Sequence, residues 1–157
     1  MFSKGMRIAA GVLAVAGTGI AITAAAAPAG AAGQTISYTQ TPISDHTFNL
    51  GSGHGVAVGF VELAANKLMH GGTQIGTDGE SCTVTRLGGG TADELCTVVA
   101  VLSAGQIDLS GLVTSTQQGP GTFTVAVTGG TGSYAGASGY ATVVSGQHPL
   151  VTIHLTG

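Results

Sequence analysis

Hydrophobic and polar side chains alternate strictly in two segments near the end of the chain. In residues 121–128, Phe123, Val125 and Val127 occupy every second position, and threonines take most of the positions between them. Residues 149–156 repeat the pattern, with valine, isoleucine and leucine alternating with threonine and histidine. A period of two predicts β-strands with one apolar face and one more polar face.

Similar strand-like runs recur along the chain and are separated by glycine-rich breaks. They lie near residues 34–40, 45–50, 56–66, 73–76, 79–86, 94–103, 106–115, 121–128, 138–145 and 149–156. No sustained helical period is present after residue 32. Because some of the short early runs would merge or form loops, we expect about eight strands in an all-β antiparallel barrel or sandwich.

The first 32 residues have the pattern of a cleavable secretory signal peptide. Lys4 and Arg7 precede an apolar stretch, residues 8–27, and small residues follow it up to Ala32. A membrane anchor is the alternative, but the stretch is rich in alanine and glycine and no basic residues follow it. We therefore expect cleavage after Ala32 or Ala29, a secreted protein with no membrane attachment after cleavage, and a single domain over residues 33–157.

Charge and cysteine content narrow the function further. Removal of the signal would leave Lys67 and Arg86 as the basic side chains against all seven acidic ones, which argues against nucleic-acid binding.

Cys82 and Cys96 flank a glycine-rich turn, and a hairpin folded about Gly89 would place them opposite each other. In an exported protein this geometry predicts a disulfide between them.

A glycine-rich segment, residues 130–135, fits the dinucleotide-binding pattern G-x-G-x-x-G/A. That pattern requires a following helix and an acidic residue about 20 positions later, and neither is present. We interpret the segment as a corner between two strands with one helical turn, in which Tyr134 packs against the barrel end. The histidines are scattered without metal-ligand spacing, so we expect neither a metal site nor a cofactor.

Candidate site residues come mainly from the run at residues 56–66. Val58, Phe60, Glu62 and Asn66 share one face of that predicted strand. A buried Glu62 would require a partner, whereas a position at the solvent-facing rim would not. Arg86 shares a face of another predicted strand with Cys82, where it would pair with Glu80 or Glu62 or lie at the surface.

Three segments resemble the allene oxide cyclase and dirigent family of β-barrels. They are VELAANKLMHGGTQIGTDGESCTVTR (61–86), GQIDLSGLVTS (105–115) and VAVTGGTGSYAGASGYATV (125–143). The third, with its Gly-Gly-Thr-Gly followed by an aromatic residue, is the most specific. The likeness extends over residues 56–156.

The resemblance implies an eight-stranded antiparallel β-barrel that guides the cyclisation or coupling of an apolar small molecule by restricting its conformation. It implies that Asn66, in ANKL, helps to hold a water at the reacting group. The family's glutamate near the first strand has no clear counterpart here, and Glu62 on the adjacent strand could substitute for it. We assign these two residues as catalytic, and Val58, Phe60 and Arg86 as ligand-binding. Association of family members through their barrel sides suggests a homo-oligomer.

Three functions remain open from the sequence. The first is an isomerase- or cyclase-like enzyme, or a dirigent-like coupling protein. The second is a non-catalytic carrier of an apolar small molecule, and the third is a structural extracellular module. An interior filled by side chains would favour the third function, and a ligand-sized cavity would favour the first two.

Overall fold

The computed structural model of the chain describes residues 33–50 and 56–156. The predicted signal peptide lies outside the described residues. The strands are β1 Thr35–Asn49, β2 Phe60–His70, β3 Thr73–Gly88, β4 Thr91–Leu102, β5 Gly105–Ser115, β6 Thr122–Gly130, β7 Gly139–Val144 and β8 Leu150–Leu155. No helix in these residues is long and apolar enough to cross a membrane.

The strands form a closed antiparallel barrel in which each strand pairs with the next and β8 pairs with β1. The predicted all-β, eight-stranded antiparallel barrel is therefore confirmed. Alternation places Val125 and Val127 of β6 and Val151, Ile153 and Leu155 of β8 in the buried interior, as their period of two predicts.

Two pairs of the predicted short runs merge, each pair into one long strand. β1 remains one strand because a bulge between Pro42 and Ser44 shifts its register against β2 without ending the pairing. β3 also continues through Gly76 and Gly79, which pair with residues of β4. Conversely, β2 begins only at Phe60, because the preceding residues form a turn that uses Gly59 at a positive φ of 85°.

The hairpins place alternate connections at opposite ends of the barrel. At one end, here called the closed end, are the connections after β2, β4 and β6. The last of these contains a 3₁₀ turn, Gly132–Tyr134, that inserts Tyr134 into the hydrophobic core. Backbone hydrogen bonds from Ser133 to Ala104 and from Thr131 to Gln106 fasten this turn to the β4–β5 connection. The predicted corner with one helical turn is confirmed.

Candidate functional site

The other half of the barrel, here called the open end, contains a cavity of about 370 Å³. This volume falls at the small end of the range for ligand sites. One wall, from β5 to β8, is mainly apolar and contains Leu109, Val113, Phe123, Val125, Val143 and Val151, with Ser110, Ser115 and Ser145 among its other lining residues. The opposite wall, from β1 to β4, carries the polar groups Tyr38, Gln40, Glu62, Glu80 and Glu94 together with both cysteines.

Strand register explains why the carboxyl groups point into the same space. Glu62 on β2 is paired with Cys82 on β3, and Cys82 is paired with Cys96 on β4, so all three side chains lie on one face. Glu80 lies two residues before Cys82 and therefore points to that face as well, one row nearer the closed end. Glu94 precedes Cys96 by two residues and lies nearer the open end.

The surroundings of Glu80 shift the ionisation of its carboxyl group toward neutral pH. Its pKa is raised from 4.5 to about 7, first by burial and then by the negative charges of Asp78 and Glu62, while a hydrogen bond from Gln40 opposes the rise. The pKa of Glu62 is also raised, by burial and by the negative charges of Asp45 and Glu94. A carboxyl group with a pKa near 7 can both donate and accept a proton at physiological pH.

A buried trio of polar side chains lies beneath these glutamates. The Asp78 carboxylate accepts a hydrogen bond of 2.6 Å from Gln40 Nε2 and one of 2.8 Å from Asn66 Nδ2. Burial raises the pKa of Asp78, and these two hydrogen bonds oppose the rise by favouring the charged form. The amide of Asn66 is therefore directed at Asp78, and Asn66 does not line the cavity.

Tyr38 belongs to the polar wall and carries a buried hydroxyl group. The residue is only 2% exposed, yet its hydroxyl oxygen has no hydrogen-bond partner among the described residues. Burial and the negative charges of Asp78 and Glu80 raise its pKa well above the ordinary value, so it stays protonated. A buried hydroxyl without a partner is costly, which makes it a natural donor to a bound molecule.

The structure does not bring the predicted ligand-binding residues Val58, Phe60 and Arg86 to this cavity. Val58 lies in the turn before β2 and is 57% exposed, whereas Phe60 is the first residue of that strand and is not among the residues that line the cavity. Arg86 follows a bulge after Val84, lies 75% exposed and forms a 2.6 Å ion pair with Asp93. Of the predicted site residues, Glu62 and the two cysteines line the cavity.

The predicted disulfide between Cys82 and Cys96 is present, with the two Cα atoms 4.1 Å apart. A carboxylate oxygen of Glu94 and the two sulfur atoms lie within 4.8 Å of one another. This trio has the composition of a metal site, but sulfur atoms joined in a disulfide are not thiolates and do not act as ligands of that kind. The disulfide instead fixes β3 to β4 within the polar wall.

Sequence reasoning missed Glu80, Glu94, Tyr38 and the Gln40–Asp78 hydrogen bond. A usable signal was present for two of them, since Glu80 and Glu94 each precede a cysteine by two residues. Once Cys82 and Cys96 are placed facing the interior, a period of two places both glutamates there too.

Comparisons with known proteins identify structural neighbours. No protein-family model matches the chain, and no curated protein matches it. A solved structure described as pyocyanin demethylase is 28% identical with a TM-score of 0.71, covering 78% of this chain and all of the other. The Diels Alderase AbmU from Streptomyces koyangensis is 14% identical with a TM-score of 0.57, covering 79% of this chain and 70% of the other. At this low identity the likeness shows only that the two proteins share a fold. These neighbours are small β-barrels; the allene oxide cyclase or dirigent family is not shown.

Proposed function

We propose that this chain binds a small, largely apolar molecule inside the barrel and promotes its cyclisation, coupling or a related rearrangement by proton transfer. The observation that carries the proposal is the two-sided cavity, in which a mainly apolar wall faces Glu62, Glu80 and Tyr38. The apolar wall would hold the substrate in one conformation, which lowers the entropic part of the barrier.

Glu80 is the proposed general acid or base, because its pKa of about 7 suits either role. Tyr38 would donate a hydrogen bond to an oxygen or nitrogen of the substrate and so stabilise charge that develops there. Glu62, nearer the opening, would assist through its own raised pKa. Asn66 is a positioning residue in this proposal, since its amide holds Asp78 and Asp78 in turn raises the pKa of Glu80.

The similarity to the pyocyanin demethylase supports an enzyme that acts on a small organic molecule, because the likeness covers the whole of that chain. The Diels Alderase supports only the assignment of the β-barrel fold.

We also propose that the chain is exported and that residues 1–32 are its signal peptide. The disulfide favours this, since disulfides persist in oxidising compartments. A homo-oligomer stays a prediction.

Probe binding tests whether the cavity is the ligand site. The exported protein is titrated with the neutral fluorescent probe N-phenyl-1-naphthylamine, and we expect one probe molecule per barrel. Val125→Trp and Val143→Phe, which fill the cavity from the apolar wall, should each abolish binding. Leu112→Trp is the matched control, because Leu112 is 62% exposed on the outside of β5. Unchanged binding in both cavity variants, with their melting transitions intact, would exclude the cavity as the site.

Turnover then distinguishes an enzyme from a carrier. Compounds that co-purify with the protein from its own host are identified by native mass spectrometry and offered back as substrates or products. Glu80→Gln should lower the rate at least tenfold, the size of effect expected for loss of a general acid or base. A ligand that binds the cavity but is converted at no measurable rate by the wild-type protein would instead establish a carrier.

A further inference from the structure

The cavity carries an unbalanced set of charges. Glu62, Glu80 and Glu94 all line it, and no lysine, arginine or histidine does so in the described part of the chain. Lys67 is exposed on the outside of β2, and Arg86 is held outside by Asp93. No basic side chain of the described residues is therefore placed to neutralise the three glutamates.

This imbalance is unfavourable in the empty barrel. Burial and mutual repulsion together disfavour the charged forms of neighbouring carboxyl groups, and no internal ion pair offsets either effect here. A positively charged group bound among the three glutamates would remove both penalties, since opposite charges attract strongly where water is partly excluded.

Two independent features indicate that the space is built for a molecule rather than for solvent alone. Tyr38, 2% exposed, lines the cavity on the polar wall, and its buried hydroxyl group has no hydrogen-bond partner among the described residues. Facing it, the side chains of Phe123, Val125 and Val143 offer only apolar contacts. A ligand that matches both walls has a hydrophobic body on one side and a polar, charged group on the other.

We propose that the cavity is specific for a hydrophobic organic cation, with its positive group among Glu62, Glu80 and Glu94 and its apolar body against β5–β8. A protonated aliphatic amine or an N-alkylated aromatic heterocycle has this chemistry. The inference rests on the proposed function, namely that the cavity binds a small molecule, and narrows the apolar ligand expected from the sequence to an apolar molecule that carries a positive charge.

A set of probes of similar size tests the proposal. N-methylquinolinium, 1-methylnaphthalene and 1-naphthoate are two-ring molecules that carry a positive, zero and negative charge. Binding to the exported protein is measured at pH 8 by fluorescence or calorimetry. We expect the cation to bind at least about tenfold more tightly than the neutral probe, and the anion to bind most weakly.

Variants locate the charge that is responsible. Glu62→Gln, Glu80→Gln and Glu94→Gln should each weaken cation binding by about threefold to tenfold and change binding of 1-methylnaphthalene less than twofold. The matched control is Asp108→Asn, which removes a carboxylate from the outer face of β5, opposite Val99. It should leave all three affinities unchanged.

The pH dependence provides a second measurement that needs no variant. Cation affinity should rise between pH 6 and 8, because Glu80 becomes ionised across its pKa of about 7. The groups around Glu80 are Asp78 on its own strand, Glu62 on β2, Tyr38 and Asp45 on β1, and the uncharged Val98 paired with it on β4. Affinity for 1-methylnaphthalene should not rise over the same range.

The outcomes separate the two proposals. Equal or tighter binding of the neutral probe would overturn the cation specificity and leave the small-molecule site intact. Cation binding that responds to Asp108→Asn but to none of the three glutamine variants would place the cation on the outer surface and also overturn it. If none of the probes binds, the proposed function fails together with the inference.

Discussion

The closed and open ends of the barrel consist of the same eight strands, but their interiors differ. At the closed end, Leu68, Ile107 and Ile153 are fully buried, and Tyr134 belongs to the same buried core. At the open end, the same alternation presents glutamates on one side and apolar side chains on the other, with a cavity between them. The backbone therefore does not decide whether such a barrel is filled or hollow; the inward-facing residues of each half do.

The closed and open ends also differ in how their interior residues affect the stability of the folded protein. Tight apolar packing at the closed end is favourable, whereas buried carboxyl groups and a hydroxyl without a partner at the open end are unfavourable before a ligand arrives. The disulfide lies in the half that contains these unfavourable groups. The following predictions test this difference, beginning with the largest effect.

Gly130→Ala should destabilise the closed end severely. A Cβ at Gly130 would collide with the carbonyl oxygen of Gln106 and lie 2.7 Å from that of Tyr134, and backbone atoms there have little freedom to move. We expect a loss of more than about 3 kcal/mol in the free energy of unfolding, measured by urea denaturation. Gly129→Ala is the control, because its nearest contact would be an ordinary 3.7 Å to Asp108; an equal loss in both variants would contradict the packing argument.

Loss of the disulfide should weaken the open end almost as much. Cys82 and Cys96 are separated by 14 positions, and a crosslink of that loop length stabilises by about 3 kcal/mol on the chain-entropy model. The double variant Cys82→Ala/Cys96→Ala should lose this amount in urea denaturation. Addition of a reducing agent should destabilise the wild-type protein but have no effect on the variant, and an equal response of both would refute the assignment.

Glu80→Gln should stabilise the protein above neutral pH. The unfolded chain releases the Glu80 proton near pH 4.5, whereas the folded protein retains it up to about pH 7. Across that range the unfolded state binds fewer protons, so wild-type stability falls as pH rises. At pH 8 the variant should therefore be about 2 kcal/mol more stable, after allowance for solvent in the cavity. The two proteins should differ little at pH 4, and a constant difference at all pH values would contradict the shifted pKa.

Tyr38→Phe should give the smallest change in the free energy of unfolding. It should stabilise the empty protein but weaken ligand binding. Removal of the buried hydroxyl should raise the free energy of unfolding of the empty protein by about 1 kcal/mol, as measured by thermal denaturation. The same change should weaken binding of ligands that accept a hydrogen bond. Tyr140→Phe, on the exposed outer face where Tyr140 stacks on His154, should alter neither property.

The barrel itself could be predicted because its signals are local. Alternation in β6 and β8, the hairpin about Gly89 and the glycine corner before Tyr134 each depend on residues close together in sequence. The disulfide followed from the same hairpin, since Cys82 and Cys96 are equidistant from Gly89. Such features require no knowledge of which distant strands meet.

The candidate site could be predicted only in part because it depends on register between strands. Glu62 was identified from its own strand, but the bulge that turns Arg86 outward has no clear sequence signal. The hydrogen bond from Gln40 to Asp78 joins strands that are 38 positions apart in the sequence. Val58 was misplaced because a turn at Gly59 interrupts an apolar run that otherwise resembles a strand.

Closure of the barrel has a consequence for the behaviour of the chain in crowded surroundings. Because β8 returns to β1, each of the eight strands has a partner strand on both sides, so among the described residues no strand has an edge that is unpaired along its whole length. Proteins with open sheets usually protect such edges with lysine or proline, whereas only 7% of the residues here are charged. Barrel closure thus replaces charged gatekeepers as the protection against amyloid-like assembly of these valine- and threonine-rich strands.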